Sequence, residues 1–474
     1  MGWLGSLLGG NRKRRSAQPG AIRARYDAAF DGSDNRRHWS AADHLSADAA
    51  MTPEVRRTLR SRARYEVANN SYARGIVSTL ANDVVGTGPR LQLRGPDAAV
   101  NAAVEDAFEQ WSASVNLADK LRVMRMARAE SGEAFALLSR NDALPGPIKL
   151  DVRLVEADQV ANPYHYASGG SAVDGIEYDA FGNPTGYWVL HTHPGAMAAV
   201  SFEADLVPAA NVLHYYRPDR PGQHRGIPDI TPALPLFAQL RRYTLAVIQA
   251  AETAANFAGV LHTDSPAGGE AEEAQAWSEI ELQRNAVVTL PGGWRLGQVD
   301  AKQPTTTYSE FKREILNEIA RCVNMPFNIA ACNSSAYNYA SGRLDHQTYY
   351  RAIRLDQSQL ATTVLDRVLR AWMREAILVA GLIPPGLRAA MENVQYEWFW
   401  PGSEHVDPLK EANAAFVRLQ TNTTTLAAEY ARQGKDWEAE IRQRARELAL
   451  MAELGLSDVT SEQAPAPDET EEEQ

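Results

Sequence analysis

Two histidines two residues apart, His191 and His193 in "HTHP", are the side chains whose type and spacing first suggest chemistry. Residues two apart on a strand project to the same face, so the pair has the geometry to share a metal ion. A working site needs further donors, and no Asp, Glu or Cys stands at close ligand spacing. A surface strand end before Pro194 is the simpler reading. Paired acids raise general-base or nuclease chemistry at Glu130 and Glu133, and at Asp300 ahead of Lys302. Neither pair has a set of metal-binding carboxylates around it, and solvated helix or hairpin charges account for both.

Other catalytic patterns are missing. No Gly-x-x-x-x-Gly-Lys-Ser/Thr loop occurs, and Gly434-Lys435 is followed by Asp in a helical context, so the chain is not a P-loop motor. "VVGTGPRL" lacks the third glycine of a dinucleotide turn. No Gly-x-Ser-x-Gly elbow is present. The two cysteines, Cys322 and Cys332, flank a proline without zinc spacing, which fits a reduced intracellular setting. No catalytic residue, metal or cofactor is expected.

A different kind of surface lies between Asn324 and Gly342. It carries no charge, yet it is rich in hydrogen-bonding groups: Asn328, Asn333, Ser334, Ser335, Tyr337, Asn338 and Tyr339. A strongly patterned helix runs into it and a longer one leaves it. Such groups offer short, exchangeable hydrogen bonds without fixed charge.

The elements that position these residues follow from composition and periodicity. A chain of 474 residues implies roughly two or three domains. Hydrophobic content of 45% and charged content of 23% are those of a folded, soluble protein. The net charge of -11 argues against a simple basic nucleic-acid binder. Basic clusters fill residues 12–64, whereas the tail after Arg446 has no Lys or Arg, a pattern of mobile arms on a folded body. The basic segment is read as a solvated helix with a disordered arm, or as a partner-facing surface. No stretch has the ~20 uninterrupted apolar residues of a membrane span, and the short apolar start "MGWLGSLLGG" precedes its basic residues, the reverse of a secretory signal.

Along the chain, Thr52 and Pro53 open a helical segment over 52–85 whose apolar positions keep a helical period with some drift. Helices fit 97–114 and 118–130. After "SGEAFALLSR" alternating strands follow, with "AFGNPTG" as a hairpin turn, so the first 225 residues read as helices packed on a largely antiparallel sheet. A helix of about 22 residues, ~33 Å, ends at Gly259, with apolar residues on several faces that suggest burial. A compact insert follows, with the strand "GVLHT", an acidic helix and a hairpin on Gly292-Gly293. Thr307 and Glu310 then suggest a capping box for a helix with the stripe Phe311, Ile315, Ile319 and Val323. A long helix occupies 342–380, "NVQYEWFWPG" is a strand, and a helical cluster ends the fold.

The ordered set "YEVANNSYARGIVSTLANDVVGTGPRLQL", "RAESGEAFALL", "GIEYDAFGNPTGYWVL", "VLHYYRPDRPGQHRGIPDITPAL", "FKREILNEIARCVNMPFNIA", "YNYASGRLDHQTYYR" and "WFWPGSEHVDPLKEANA" resembles the portal proteins of tailed bacteriophages, the lambda-like family. The resemblance covers roughly residues 20 to 455 and lies in the order of the motifs. One departure is that the family's Asn-Tyr-Ser-Ser-x-Arg run stands here as Asn338-Tyr339-Ala340-Ser341-Gly342-Arg343.

The resemblance implies an α+β, predominantly helical portal fold with wing, stem, clip and crown. It implies a flexible basic arm over 1–25, a wing over 26–227, stem helices at 228–258 and 307–324, and a clip at 259–306 between them. A tunnel loop at 325–341, the wing's long helix and strand at 342–404, a crown at 405–456 and a disordered acidic tail at 457–474 complete the map. It further implies a homo-oligomeric ring, commonly of twelve subunits, at one capsid vertex of a virion assembled in the host bacterial cytoplasm. The ring would pass double-stranded DNA without reading its sequence. Glu272, Glu273, Trp277, Glu281, Trp294 and Arg295 are then the clip residues that would dock the terminase large subunit and head-completion or adaptor proteins, with capsid and scaffold proteins as further partners and no membrane. Two competing readings remain: a metal-dependent DNA nuclease, and a head–tail adaptor or minor capsid protein.

Overall fold

The computed structural model describes residues 37–163, 172–197, 203–256, 260–263, 294–297, 307–335, 337–402 and 408–456. The chain is α+β and predominantly helical, as expected, and among the described residues all strand pairs are antiparallel. The basic arm, most of the clip and the acidic tail lie outside the described residues, as do Asp300 and Lys302.

Residues 52–85 form two helices, Pro53–Asn69 and Ser71–Val85, where one helical period was expected. Thr52 caps the first as expected, accepting from the Val55 amide. Asn70 then leaves the helical region (φ -122, ψ 116), and its side chain accepts from the amides of Tyr72 and Ala73. The drift in the apolar period was the trace of this break. Asn70 turns the chain because its short amide replaces the backbone partners that a helix start lacks.

The helices Ala98–Ser114 and Leu117–Ser131 follow, and Gly132 (φ 91) ends the second. The next element, Glu133–Arg140, is the middle strand of a three-stranded sheet, between Leu150–Val155 and Val212–Tyr216. Its first five residues are all buried. Ala134 and Ala136 face the helical core, while Phe135 and Leu137 face a second core shared with Ile176, Tyr187 and Val189 of a four-stranded sheet. A strand covered on both faces loses the alternation by which strands are recognised.

The basic face of the Pro53–Asn69 helix departs from the solvated or partner-facing expectation. Arg56 and Arg60 are each 4% exposed and belong to an ion-pair network, whereas Val55 faces outward. Glu133 likewise is no solvated charge but a fully buried anion. It accepts from Arg225 Nη2 (2.7 Å), Arg60 Nη2 (3.2 Å), His214 Nε2 (3.0 Å) and the Gly226 amide (3.1 Å). Burial alone would raise its pKa, but the Arg225 guanidinium and the hydrogen bond from His214 hold it well below the usual carboxylate range. His214, stacked between Phe135 and Tyr216, is pushed down by burial and serves as a neutral donor.

Helices Leu234–Asn256 and Thr307–Arg321 form a pair that leaves this body. Tyr243 packs on Tyr308 and Phe311, and the Tyr308 hydroxyl lies 3.3 Å from Thr244 Oγ1. Leu234, Phe237 and Leu240 are buried, but no residue from Arg241 to Glu252 is. The second helix shows the same gradient, from exposed Phe311 to buried Ile319 and Ala320. The apolar faces expected to be buried are therefore largely open in a single chain. Beyond the pair, Val260–Thr263 pairs with Trp294–Gly297.

The long helix starts at Tyr339 rather than 342, runs to Leu360, passes one π turn at Ala361–Leu365 and continues over Asp366–Ala376. Its expected stripe, Ile353, Leu360, Val364, Val368, Trp372 and Ala376, is buried. Tyr396–Phe399 pairs with Arg90–Leu93, and the helices Pro408–Gln420, Leu426–Arg432 and Trp437–Glu453 close the described chain.

Candidate functional site

The uncharged segment is shaped by two helix ends. Asn324 (φ 55) stops the Thr307–Arg321 helix, and the Met325 amide donates back to the Ala320 carbonyl at 3.1 Å. Pro326 then opens the five-residue helix Phe327–Ala331. Cys332 (φ 51) ends it in the same manner, with the Asn333 amide on the Asn328 carbonyl at 3.0 Å. Both stops use the left-handed residue and six-to-one hydrogen bond that terminate helices. Asn at the first costs little, because Asn tolerates positive φ.

This geometry divides the expected loop. Met325 and Ala330 are buried, and Asn328 is half-buried with Nδ2 3.0 Å from His346 Nε2 on the long helix. Asn328 therefore ties the loop base to its neighbour. Asn333, Ser334, Ser335 and Asn338 are exposed. Asn333 Oδ1 accepts from the Ser335 amide at 3.0 Å, a turn that keeps the tip compact. Tyr337 is half-buried, and burial together with Asp345 raises its hydroxyl pKa. Tyr339 is the first residue of the long helix, and its side chain lies outside the described residues.

The long helix that carries the far end of this segment is pinned to the body by charge and hydrogen bonds. Asp356 pairs with Arg125 (2.9 Å) and Arg128 (3.2 Å), and both arginines also approach Asp229 on the chain entering the Leu234–Asn256 helix. The Tyr349 hydroxyl donates to Asp83 (2.6 Å), and Gln357 donates to the Val84 carbonyl (3.1 Å). One ion-pair cluster thus joins the helix pair, the long helix and the body. The exposed tip is held from both sides by ordered elements.

The other candidates fare differently. His191 and His193 do not converge: the Pro184–Leu190 strand has ended, and His191 turns to Asp205 (3.0 Å) while His193 faces Glu156 (3.4 Å) and Asp158 (3.7 Å). Glu156, Asp158 and His193 do gather through space, which sequence spacing hid. Arg64 and Arg60 already engage these carboxylates. The Gly195 amide donates to His193 Nδ1 at 3.0 Å, so Nε2 carries the proton and presents no lone pair to a cation. Cys322 is half-buried, and burial pushes its thiol up to about 12, the behaviour of a packing residue. Glu272, Glu273, Trp277 and Glu281 lie outside the described residues. Trp294 and Arg295 sit on the distal strand pair, with Arg295 exposed. No helix among the described residues is long and apolar enough to cross a membrane.

The family model described as "Phage portal protein, lambda family" matches residues 33–357. The probable portal protein of Halomonas phage phiHAP-1 is 25% identical over 428 residues, covering 84% of this chain and 81% of that protein. Portal protein B of Escherichia phage lambda is 22% identical over 472 residues, covering 89% and 88%. Among solved structures, a chain from the virion of a native gene transfer agent particle aligns with TM-score 0.46 and 14% identity over 85% of this chain and 99% of that one.

Proposed function

The chain belongs to the lambda family of phage portal proteins, and on that premise we propose that it forms a ring of about twelve copies at one capsid vertex. The ring is a passive conduit for double-stranded DNA during packaging and ejection. It assembles in the host cytoplasm and stays in the virion. A separate terminase supplies nucleotide hydrolysis and docks, as do head-completion proteins, at the distal insert that includes Trp294 and Arg295. The pair Leu234–Asn256 and Thr307–Arg321 is the stem, residues 408–456 the crown, and the rest of the body the wing.

One observation carries this reading: the exposed tip residues Asn333, Ser334, Ser335 and Asn338, held between two ordered helices, bear no charge. A conduit must touch a moving polyanion without gripping it. Lys or Arg at the tip would bind phosphate and release counterions, giving affinity that opposes movement. Asn and Ser offer hydrogen bonds that break and re-form along phosphates and sugars. Asn328 and Tyr337 then hold the tip's shape, and Asn333, Ser334, Ser335 and Asn338 make the contact. The open apolar residues Leu245 and Ile248 of the stem support assembly, because patches of this kind are covered by neighbours.

The test is a variant carrying Lys at 333, 334, 335 and 338. Rings should form normally while packaging stalls, and retention of duplex DNA should gain a salt dependence of about 0.9 per added phosphate contact. Normal packaging by intact rings of this variant would remove the tip from the channel.

A further inference from the structure

We propose that the outward ridge of the Tyr339–Leu360 helix in one copy seats against the acidic side of the Thr307–Arg321 helix in the next copy. This rests on the ring reading above and names a contact that closes the ring.

The ridge is formed by Arg343, Gln347, Arg351 and Arg354, which share one helix face by their spacing. All four are exposed, and Leu344 (66% exposed) and Leu355 (69%) stand beside them. Tyr349, Ile353 and Leu360 bury the opposite face, so the ridge points away from its own body. Arg343 and Arg351 make no ion pair among the described residues, and Arg354 Nε donates to the Tyr350 carbonyl (3.3 Å).

The complementary surface carries Glu310, Glu314 and Glu318, all exposed and again four residues apart. Phe311 and Ile315, with Leu236 and Cys322, line an open groove of about 710 Å³ beside them. Glu310 and Glu318 are unpaired among the described residues. Glu314 lies 3.4 Å from the exposed Arg313, and Arg321 is drawn to Asn324 (3.0 Å).

The two surfaces match in charge, in apolar content and in spacing. Arg343 to Arg351 and Glu310 to Glu318 each span eight residues, or ~12 Å of helix, which sets Gln347 opposite Glu314. Both surfaces flank residues 322–338. Two different patches on one chain make a heterologous contact, which closes into a ring when its rotation allows. Duplex DNA is the weaker occupant of the ridge: two large exposed leucines beside arginines suit an apolar protein groove rather than phosphates.

The experiment compares the full-length wild type with Arg343→Glu/Arg351→Glu, with Glu310→Arg/Glu318→Arg, and with all four changes together, by analytical ultracentrifugation and near-ultraviolet circular dichroism. Each pair alone should raise the concentration for half-assembly by about tenfold or more, and the four together should recover most of that loss. Recovery by the combined variant separates a lost contact from a lost fold. Rings that assemble as wild type in both charge-reversed pairs overturn this contact and leave the ring reading standing. Rings intact in Arg343→Glu/Arg351→Glu, but with weakened retention of a DNA duplex, overturn it in favour of DNA. A wild-type chain that never forms rings removes the ring reading, and this contact with it.

Discussion

Glu133→Gln isolates the charge that binds the Pro53–Asn69 helix, the central sheet and the Arg225 segment together. The carboxylate has no exposed surface and faces Arg225, Arg60 and His214, with Asp174 and Asp158 completing a balanced set against Arg56, Arg60 and Arg225. Glutamine removes one negative charge and turns an amide N–H₂ toward guanidinium donors. Breaking a buried ion pair by removing one partner costs about 3–5 kcal/mol, a large share of a total near 5–15 kcal/mol. Hydrogen exchange on the full-length protein reads it directly: protection of the Glu133–Arg140 and Val212–Tyr216 amides should fall by roughly a hundredfold to several thousandfold. The carboxyl pKa is depressed in the fold. Its stabilisation is therefore present above the unfolded value and is lost as pH falls through the folded one, so wild type and variant should converge only in strong acid. Glu130→Gln is the control. Glu130 is half-buried and its pKa is raised by burial, so its neutral replacement should be harmless or mildly stabilising near neutral pH. Equal effects from the two variants, or less than about 1 kcal/mol from Glu133→Gln, would refute the assignment of Glu133 as the buried counter-charge.

Two further outcomes follow from the junction between the body and the C-terminal helices. Burial, with Asp436 nearby, raises the Glu105 carboxyl to about 7 even though it accepts from the Leu93 amide. An acid whose folded pKa lies above its unfolded one contributes stability below the unfolded value and loses it as pH rises toward the folded one. Glu105→Gln should therefore raise the melting temperature at pH 8 but not at pH 4, and an unchanged pH profile would exclude the effect. Gly434 (φ 71) packs on the backbone of Trp400, Pro401 and Gly402, so a Cβ would come within 2.5 Å of the Trp400 carbonyl oxygen. Gly434→Ala should cost on the order of 1–3 kcal/mol and reduce amide protection over 426–453 while leaving 133–140 unaffected; equal protection would show that this backbone approach does not hold the C-terminal helices.

Much of the fold was legible because it depends on local chemistry. Thr52 with Pro53 marks a helix start by side-chain and backbone rules that act within a few residues, and the helical periods over 97–114 and 118–130 end within a few residues of the observed helices. The break at Asn70 was visible only as drift, because one residue in an extended conformation barely disturbs a helical period. Glu133 and Arg60 could not be recognised as buried, since their partners lie 71 or more residues away in sequence. A separation of 37 and 35 residues likewise hid the meeting of His193 with Glu156 and Asp158. At the tip, composition marked the whole uncharged run, but only coordinates separate Asn328, which faces His346, from the exposed Asn333, Ser334, Ser335 and Asn338.

An electron cryo-microscopy reconstruction of the purified full-length chain tests the central claim most directly. The account predicts a closed ring whose narrowest bore is lined by residues 333–338, with the stem helices standing around it. A ring with those residues on its outer wall, or a chain that stays monomeric at every concentration, would contradict it.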